Sequence, residues 1–174
     1  VPLNHVEVAG AVNWGSAGNI PGDLVVSGSL NMFGNSFTVG GKFSTVGNGV
    51  LIAGSGEQVT VNGNMTGSGG DETGLLATGT EFVLGGNLVQ RNVSTPLSFA
   101  AGNAQVRLVG RTTQTIDIQT PGSAQSWAGS LRTQNASIQI VGDVMFGTFS
   151  TQGVSPVISG ANRNLLLQDI DVAS

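Results

Sequence analysis

The chain has no cysteine and a single histidine, His5, among its 174 residues. Without thiols there can be no disulfide, no cysteine nucleophile and no cysteine-ligated zinc. A lone histidine with no carboxylate cluster beside it in the sequence completes neither a zinc site nor a catalytic triad. We therefore expect His5 to be structural, and we predict no catalytic residue, no metal site and no cofactor.

Charged side chains are scarce as well. They make up 9% of the chain, against about a quarter in ordinary domains. The net charge is −4 with six Lys and Arg residues, so there is no basic stripe to bind nucleic acid or an anionic membrane. Because 39% of the residues are hydrophobic, disorder is not expected. The surface must be a nearly uncharged coat of Gly, Ser, Thr, Asn and Gln.

Long apolar runs and helical periodicity are missing too. No run of about 18 apolar residues predicts a membrane-spanning helix, and no stretch keeps the period of about 3.6 residues typical of an amphipathic helix. Glycine, a poor helix former, accounts for 28 residues. Since the chain begins with Val1 rather than Met, we expect either a processed product or a piece of a longer protein.

What the chain does contain is a seven-residue repeat, apolar-x-apolar-x-Gly-x-apolar. Complete copies occupy 37–43, 59–65, 82–88 and 138–144, and partial copies occupy 20–24 and 106–110. The repeated glycines are residues 22, 41, 63, 86, 110 and 142. A motif that returns at this interval is typical of a chain built by stacking similar units.

Short β-branched or aromatic segments bounded by turn residues predict strands. They are 24–26, 37–39, 50–52, 59–61, 82–84, 106–108, 116–118 and 138–140. An antiparallel sandwich would need frequent hairpin dipeptides, but Asn-Gly occurs only at 48–49 and 62–63, and the second pair lies inside the repeat. We therefore predict an all-β, right-handed parallel β-helix (β-solenoid) of roughly eight coils, with about 20–24 residues per coil.

This fold prediction divides residues 1–174, a single domain, into specific parts. Residues 1–19 form an N-terminal end coil or cap, and residues 119–130 form a loop excursion that explains the long step between the glycines at 110 and 142. The alternating apolar residues point inward, in columns that run from Phe37, Val39 and Phe43 through the next two coils. The repeated glycine takes the corner, where a positive φ or a close backbone approach excludes a Cβ.

Residues 104–146 also resemble a known family. The succession Val106-Arg107-Leu108-Val109-Gly110, Gln114-Thr115-Ile116, Leu131 and 138–144 is similar to the β-helix repeats of large bacterial surface proteins of the filamentous-haemagglutinin and autotransporter-passenger kind. The resemblance extends loosely over the last two-thirds of the chain. It implies secretion and a passive scaffold or adhesin role at the cell surface.

The candidate sites are few. Carboxylates of a β-helix enzyme would have to converge on one outer face, but the residues after the repeated glycines are of mixed type and suit side-chain-to-backbone bonds in turns. These are Asp23, Lys42, Asn64, Asn87, Arg111 and Asp143. The loop pair Asp71–Glu72 is expected to be solvated, and Asp169 and Asp171 could share a face but lie at the end of the chain, so neither pair is expected to be catalytic. Trp14 and Trp127 are candidate ligand or partner contacts, or alternatively lids over a coil.

These observations favour a non-enzymatic, secreted structural or adhesive β-solenoid module of a bacterial surface protein or extracellular fibre. The expected partners are a second copy stacked end to end or the continuation of a longer chain, and neither nucleic acid nor a membrane span is expected. Two alternatives remain. One is a polysaccharide-binding β-helix module, and the other is a fragment of a carbohydrate-active β-helix enzyme.

Overall fold

The computed structural model describes residues 4–68, 75–77, 79–91, 104–118, 128–135 and 137–170. These residues form parallel strands and turns, with no helix among them. Among them there is accordingly no helix that could span a membrane. The all-β, parallel β-solenoid fold predicted from the repeat is confirmed.

Twenty strands lie within the described residues. They are β1 His5–Val8, β2 Ala11–Asn13, β3 Gly18–Ile20, β4 Asp23–Val26, β5 Ser29–Asn31, β6 Phe37–Val39, β7 Phe43–Thr45, β8 Val50–Ala53, β9 Gln58–Val61, β10 Met65–Ser68, β11 Leu75–Ala77, β12 Glu81–Leu84, β13 Leu88–Arg91, β14 Gln105–Leu108, β15 Gln114–Ile118, β16 Ala128–Thr133, β17 Ser137–Ile140, β18 Val144–Thr151, β19 Val157–Ser159 and β20 Leu165–Ile170. All eight segments predicted as strands are confirmed.

The strands form three parallel sheets, which the chain visits in the order A, B, C as far as β12, whereas the described strands from β13 onward alternate between sheets A and C. Sheet A has the order β1-β4-β7-β10-β13-β15-β17-β19, sheet B has β2-β5-β8-β11, and sheet C has β3-β6-β9-β12-β14-β16-β18-β20. Each early strand therefore pairs with the strand three places further along the chain, as expected for a solenoid of three-strand coils. The right-handed sense and the count of roughly eight coils stay predictions.

The inward columns follow the predicted phase. In sheet C, Phe37 lies beside Val59 and Val59 beside Phe82. In sheet A, Phe43 lies beside Met65 and Met65 beside Leu88. All of these side chains are buried, so the core is a set of apolar columns that run from coil to coil. This burial is the main stabilising term of the fold.

The repeated glycines stand where chain segments of successive coils come closest. A Cβ placed on Gly63 would lie 2.6 Å from the carbonyl oxygen of Gly41, and the N–H of Gly63 donates to that same oxygen. None of the repeated glycines is among the residues with positive φ. Of the two reasons proposed for glycine at the corner, the close approach of backbones is the one that applies.

The copy of the motif at 138–144 lies at a different corner of the coil from the earlier copies, so the prediction of one common corner is wrong. Gly41, Gly63 and Gly86 each follow a strand of sheet C and precede one of sheet A, whereas Gly142 follows β17 of sheet A and precedes β18 of sheet C. The step from Gly110 to Gly142 therefore joins two different corners and is not one lengthened coil. A strand-corner-strand motif has the same local pattern at either corner, which is why the sequence did not distinguish them.

The two outer parts of the domain prediction can be placed as follows. Strands β1, β2 and β3 pair with β4, β5 and β6, so residues 5–20 form a coil that continues the stack. Within the predicted excursion 119–130, residues 128–130 belong to β16, and residues 119–127 lie outside the described residues.

We expect Leu84→Ala to lower the free energy of unfolding by roughly 2–4 kcal/mol, because Leu84 is fully buried between Val61 and Leu108 and the substitution leaves a cavity. The measurement is chemical denaturation. Thr38→Ala is the control, since Thr38 faces outward on β6 and its loss should change the free energy by less than about 0.5 kcal/mol. Equal effects of the two substitutions would contradict the inward phase.

Candidate functional site

Among the described residues, the outer face of sheet C carries an ion pair between Glu81 and Arg107. The guanidinium Nε of Arg107 lies 2.9 Å from Oε1 of Glu81, and about a quarter of each side chain is exposed. Gln58, on the strand before, donates from its amide to the other oxygen of Glu81. The pair joins three neighbouring strands across the sheet, and a partly exposed pair of this kind stabilises a fold only slightly.

On the outer face of sheet A, Asp23 lies beside His5 on the neighbouring strand and accepts a backbone hydrogen bond, while a second column holds two carboxylates several strands apart. The outward column that begins at Glu7 continues through Val25, Ser44, Thr66 and Val89 and reaches Asp117. Two carboxylates at opposite ends of a column of parallel strands cannot act on one substrate bond. Within the described residues, no three His, Asp or Glu side chains come together in a way that could hold a metal ion.

Four of the six polar residues after the repeated glycines, Asp23, Asn64, Asn87 and Asp143, bind the backbone of the next coil. Asp23 Oδ1 accepts from the N–H of Lys42 at 2.7 Å, and Asn64 Oδ1 accepts from that of Asn87 at 2.9 Å. Asn87 Oδ1 in turn accepts from the N–H of Thr115 at 2.8 Å. The side-chain-to-backbone bonds predicted for these corners are present, but they reach one coil ahead instead of closing the local turn.

Asp143 forms the same bond at the other corner. Its Oδ1 accepts from the N–H of Asn164 at 2.9 Å, and its Oδ2 accepts from the Asn164 amide at 3.4 Å. These bonds, together with the nearby charge of Arg163, hold the pKa of Asp143 below its ordinary value of 3.8. The carboxylate is therefore stabilised as a link between coils.

Glu57 is a buried carboxylate that the sequence did not single out. It precedes β9, is 6% exposed, and accepts from the N–H groups of Gly34 and Gly54, one on each carboxylate oxygen. Gly34 belongs to the preceding coil, so Glu57 also ties two coils together. With both oxygens engaged by backbone donors, Glu57 is a structural residue.

Gln114 is the centre of a buried polar network. Its amide donates to the carbonyl oxygens of Leu84 and Gly86, and its Oε1 accepts from the Gly110 N–H and from Nδ2 of Asn135. Gln114 is 1% exposed. This residue is the Gln of the Gln-Thr-Ile element noted in the sequence, and its role is to satisfy four backbone and side-chain groups between two corners.

Trp14 lies against the side of the core. Its ring centroid is 5.4 Å from that of Phe37, and the side chain is partly buried. A Cβ on Gly18 would come within 3.0 Å of the indole, so a small residue there leaves space for the ring. Both roles considered for Trp14, a ligand or partner contact and a lid over a coil, stay predictions. The indole N–H of Trp14 is buried without a hydrogen-bond partner in the described part of the chain.

Other candidates from the sequence fall as follows. His5 is exposed on β1. Asp169 lies on β20 beside Thr148. Trp127, Asp71, Glu72 and Asp171 lie outside the described residues, so their predicted roles stay predictions.

Phe33 is an exposed side chain that the sequence pattern did not single out. It follows β5 in a turn and is 70% exposed, the largest exposed fraction among the large hydrophobic side chains of the described residues. The other exposed large hydrophobic side chains of the described residues, Val12, Val157 and Ile158, lie on the first and last coils, so an exposed aromatic ring away from both ends is unusual. The only sequence signal for this small positive-φ turn is the pair Phe33-Gly34.

Comparisons of the chain with protein-family models, with curated proteins and with solved structures found no match. The resemblance to bacterial surface β-helix repeats therefore depends on the motifs quoted above.

We expect the contribution of Asp143 to stability to depend on pH. Its pKa is lowered in the folded state, so the stabilisation is present above the unfolded value near 3.8 and is lost as pH falls through the folded pKa. In Asp143→Asn, the amide oxygen can still accept from Asn164 but does not titrate. The difference in unfolding free energy between the two proteins should thus shrink in acid, whereas a pH-independent difference would contradict this assignment. Denaturant titrations from pH 7 to pH 2 make the measurement.

We expect Gln114→Leu to lower the free energy of unfolding by about 1–3 kcal/mol, because the buried N–H of Gly110 and the amide of Asn135 lose their acceptor. Gln139→Leu is the matched control, since Gln139 is exposed on the adjacent strand β17. The readout is again chemical denaturation. A Gln114→Leu protein as stable as the control would show that the network contributes nothing.

Proposed function

We propose that this chain is a non-enzymatic, secreted structural or adhesive β-solenoid module of a bacterial surface protein or extracellular fibre. The observation that supports it best is the use made of its polar side chains. Asp23, Asn64, Asn87, Asp143 and Glu57 all bind backbone N–H groups of another coil. Side chains engaged in this way hold a rod together and are not free to act on a substrate.

Two further features support the proposal. The outward residues of sheet C are mainly uncharged and polar, as on β6 and β9, which suits a passive coat. The resemblance of residues 104–146 to surface-protein repeats supports secretion and a bacterial cell-surface location. As part of the same proposal, the coils wind in a right-handed sense and number roughly eight.

The last described strands leave an apolar groove. It has a volume of about 450 Å³ and is lined by Phe149, Thr151, Val154, Ser155, Pro156, Ile158, Leu165 and Leu167. Ile158 continues the inward column of Ile138, yet it is 39% exposed. At the opposite end of the stack, Val12 continues the inward column of Leu30 and is 41% exposed. Within the described part of the chain, both ends therefore present core positions that no further strand covers.

A module of a longer rod or fibre would have these ends covered, either by a second copy or by more of its own chain. Strands at the edge of a sheet carry unpaired backbone groups that readily pair with another strand. The sparse charge of this chain opposes such contact only weakly. We therefore propose that the isolated chain associates with itself end to end.

We expect sedimentation velocity to show association that increases with protein concentration. Ile158→Lys should weaken this association, because it places a charge in the groove and burying an unpaired charge is unfavourable. Gln139→Lys, on the exposed side of the neighbouring strand, is the control and should leave association unchanged. A monodisperse monomer at every concentration, unaffected by either substitution, would overturn the proposed self-association.

A further inference from the structure

Phe33 lies at a position of a tight turn where a phenylalanine is rarely found. The N–H of Asn35 donates to the carbonyl oxygen of Met32 at 3.1 Å, which closes a four-residue turn with Phe33 and Gly34 in the middle. Both central residues have positive φ, 52° at Phe33 and 83° at Gly34. This is the pattern of a type I′ turn, whose first central position is ordinarily Asn, Asp or Gly.

Phe33 is unfavourable there for two independent reasons. A side chain with a Cβ is disfavoured in the left-handed region, and an aromatic ring is disfavoured in water. In the equivalent turn of the next coil, closed by the N–H of Glu57 to the carbonyl oxygen of Gly54, the only central residue with positive φ is Gly56 at 82°, the counterpart of Gly34. Neither backbone conformation nor burial thus accounts for a phenylalanine at this position.

The turn that carries the ring is held firmly. Asn31 Oδ1 accepts from the N–H of Phe33 at 3.0 Å, and buried Glu57 accepts from that of Gly34. The amide of Asn35 donates to the carbonyl oxygens of Phe33 and Trp14 at 3.2 and 2.9 Å. Because Trp14 belongs to the coil before and Glu57 to the coil after, three coils fix the backbone under the exposed ring.

Strained backbone conformations are found mainly at functional sites. A backbone that is already fixed beneath an exposed ring also reduces the entropy lost when a ligand binds. We infer that Phe33 is a binding residue that stacks on the apolar face of a neutral sugar in a polysaccharide. This inference rests on the adhesive form of the proposed function, to which it adds a ligand class and a contact.

The surroundings of the ring favour a neutral sugar over other partners. Asn31 Oδ1, Asn35 Nδ2 and Ser36 Oγ already bond to groups of the protein, which leaves Asn31 Nδ2, Asn35 Oδ1 and the Ser36 hydroxyl hydrogen to meet sugar hydroxyls. The nearest carboxylate in the turn, Glu57, has both oxygens engaged by backbone N–H groups. No cation of the turn is available for an anionic ligand. A single ring among hydrogen-bonding groups suits a sugar, which presents an apolar face and a hydroxyl rim, better than an apolar protein surface, which requires a contiguous patch.

The test compares the full chain with Phe33→Asn. Wild type is screened against an array of neutral oligosaccharides of glucose, mannose, galactose and N-acetylhexosamines, and the best binder is titrated by calorimetry. Phe33→Asn should weaken binding by about tenfold or more. Because Asn suits the first central position of the turn, its thermal unfolding midpoint should stay the same or rise. A merely structural phenylalanine would give the opposite change in midpoint.

Two controls complete the experiment. Val157→Asn removes another strongly exposed apolar side chain, 67% exposed on β19, and should leave binding unchanged. Phe33→Trp keeps a ring and should retain binding. The inference is overturned if wild type binds no neutral oligosaccharide, if Phe33→Asn binds as well as wild type, or if Phe33→Asn changes sedimentation instead, which would mean a protein partner. A chain that self-associates but binds no sugar would overturn this inference while leaving the structural proposal in place.

Discussion

Parallel pairing in register is the constraint on which the rest of the structure depends. Each strand lies directly beside the equivalent strand one coil away, so that Val39, Val61, Leu84 and Leu108 form one uninterrupted inward column. A slip of a single residue would turn every side chain of a strand to the other face. The corners can therefore vary in length and composition, but the phase of the strands cannot.

The register also explains which parts of the structure were predictable. Strand positions and inward residues follow from an alternation that is complete within a few residues, as in Phe37-Thr38-Val39. The corner to which Gly142 belongs was not predictable, because the motif carries no information about the sheet that precedes it. Glu57 and Gln114 escaped attention for a related reason: their partners, Gly34 and Leu84, lie 23 and 30 residues away. The exposure of Phe33 was not predicted because the sequence pattern does not specify the positive φ of the turn that carries it.

The solenoid changes its corner chemistry along its length. Early corners between sheets C and A hold glycine because the backbones nearly touch, as at Gly41 and Gly63. From Gly110 onward, the space is filled by the Gln114–Asn135 network, and the inward column passes from Leu108 to Thr133, whose hydroxyl donates to the carbonyl oxygen of Asn135. Close backbone contact and a satisfied polar network are two solutions to the same requirement, that no buried polar group be left unpaired.

The same division between strands and corners separates two kinds of interaction surface. An end of the stack continues the columns of the core, so what binds there must match the register and supply another coil or its equivalent. A turn at a corner lies outside the columns, and a side chain such as Phe33 can project from it without disturbing Leu30 or Phe37, which stay buried on either side. The proposed assembly along the axis and the proposed sugar contact at the side could therefore be altered independently of each other. In such a fold, a new contact can arise by substitution at a turn, because the core places no requirement on the residue at its tip.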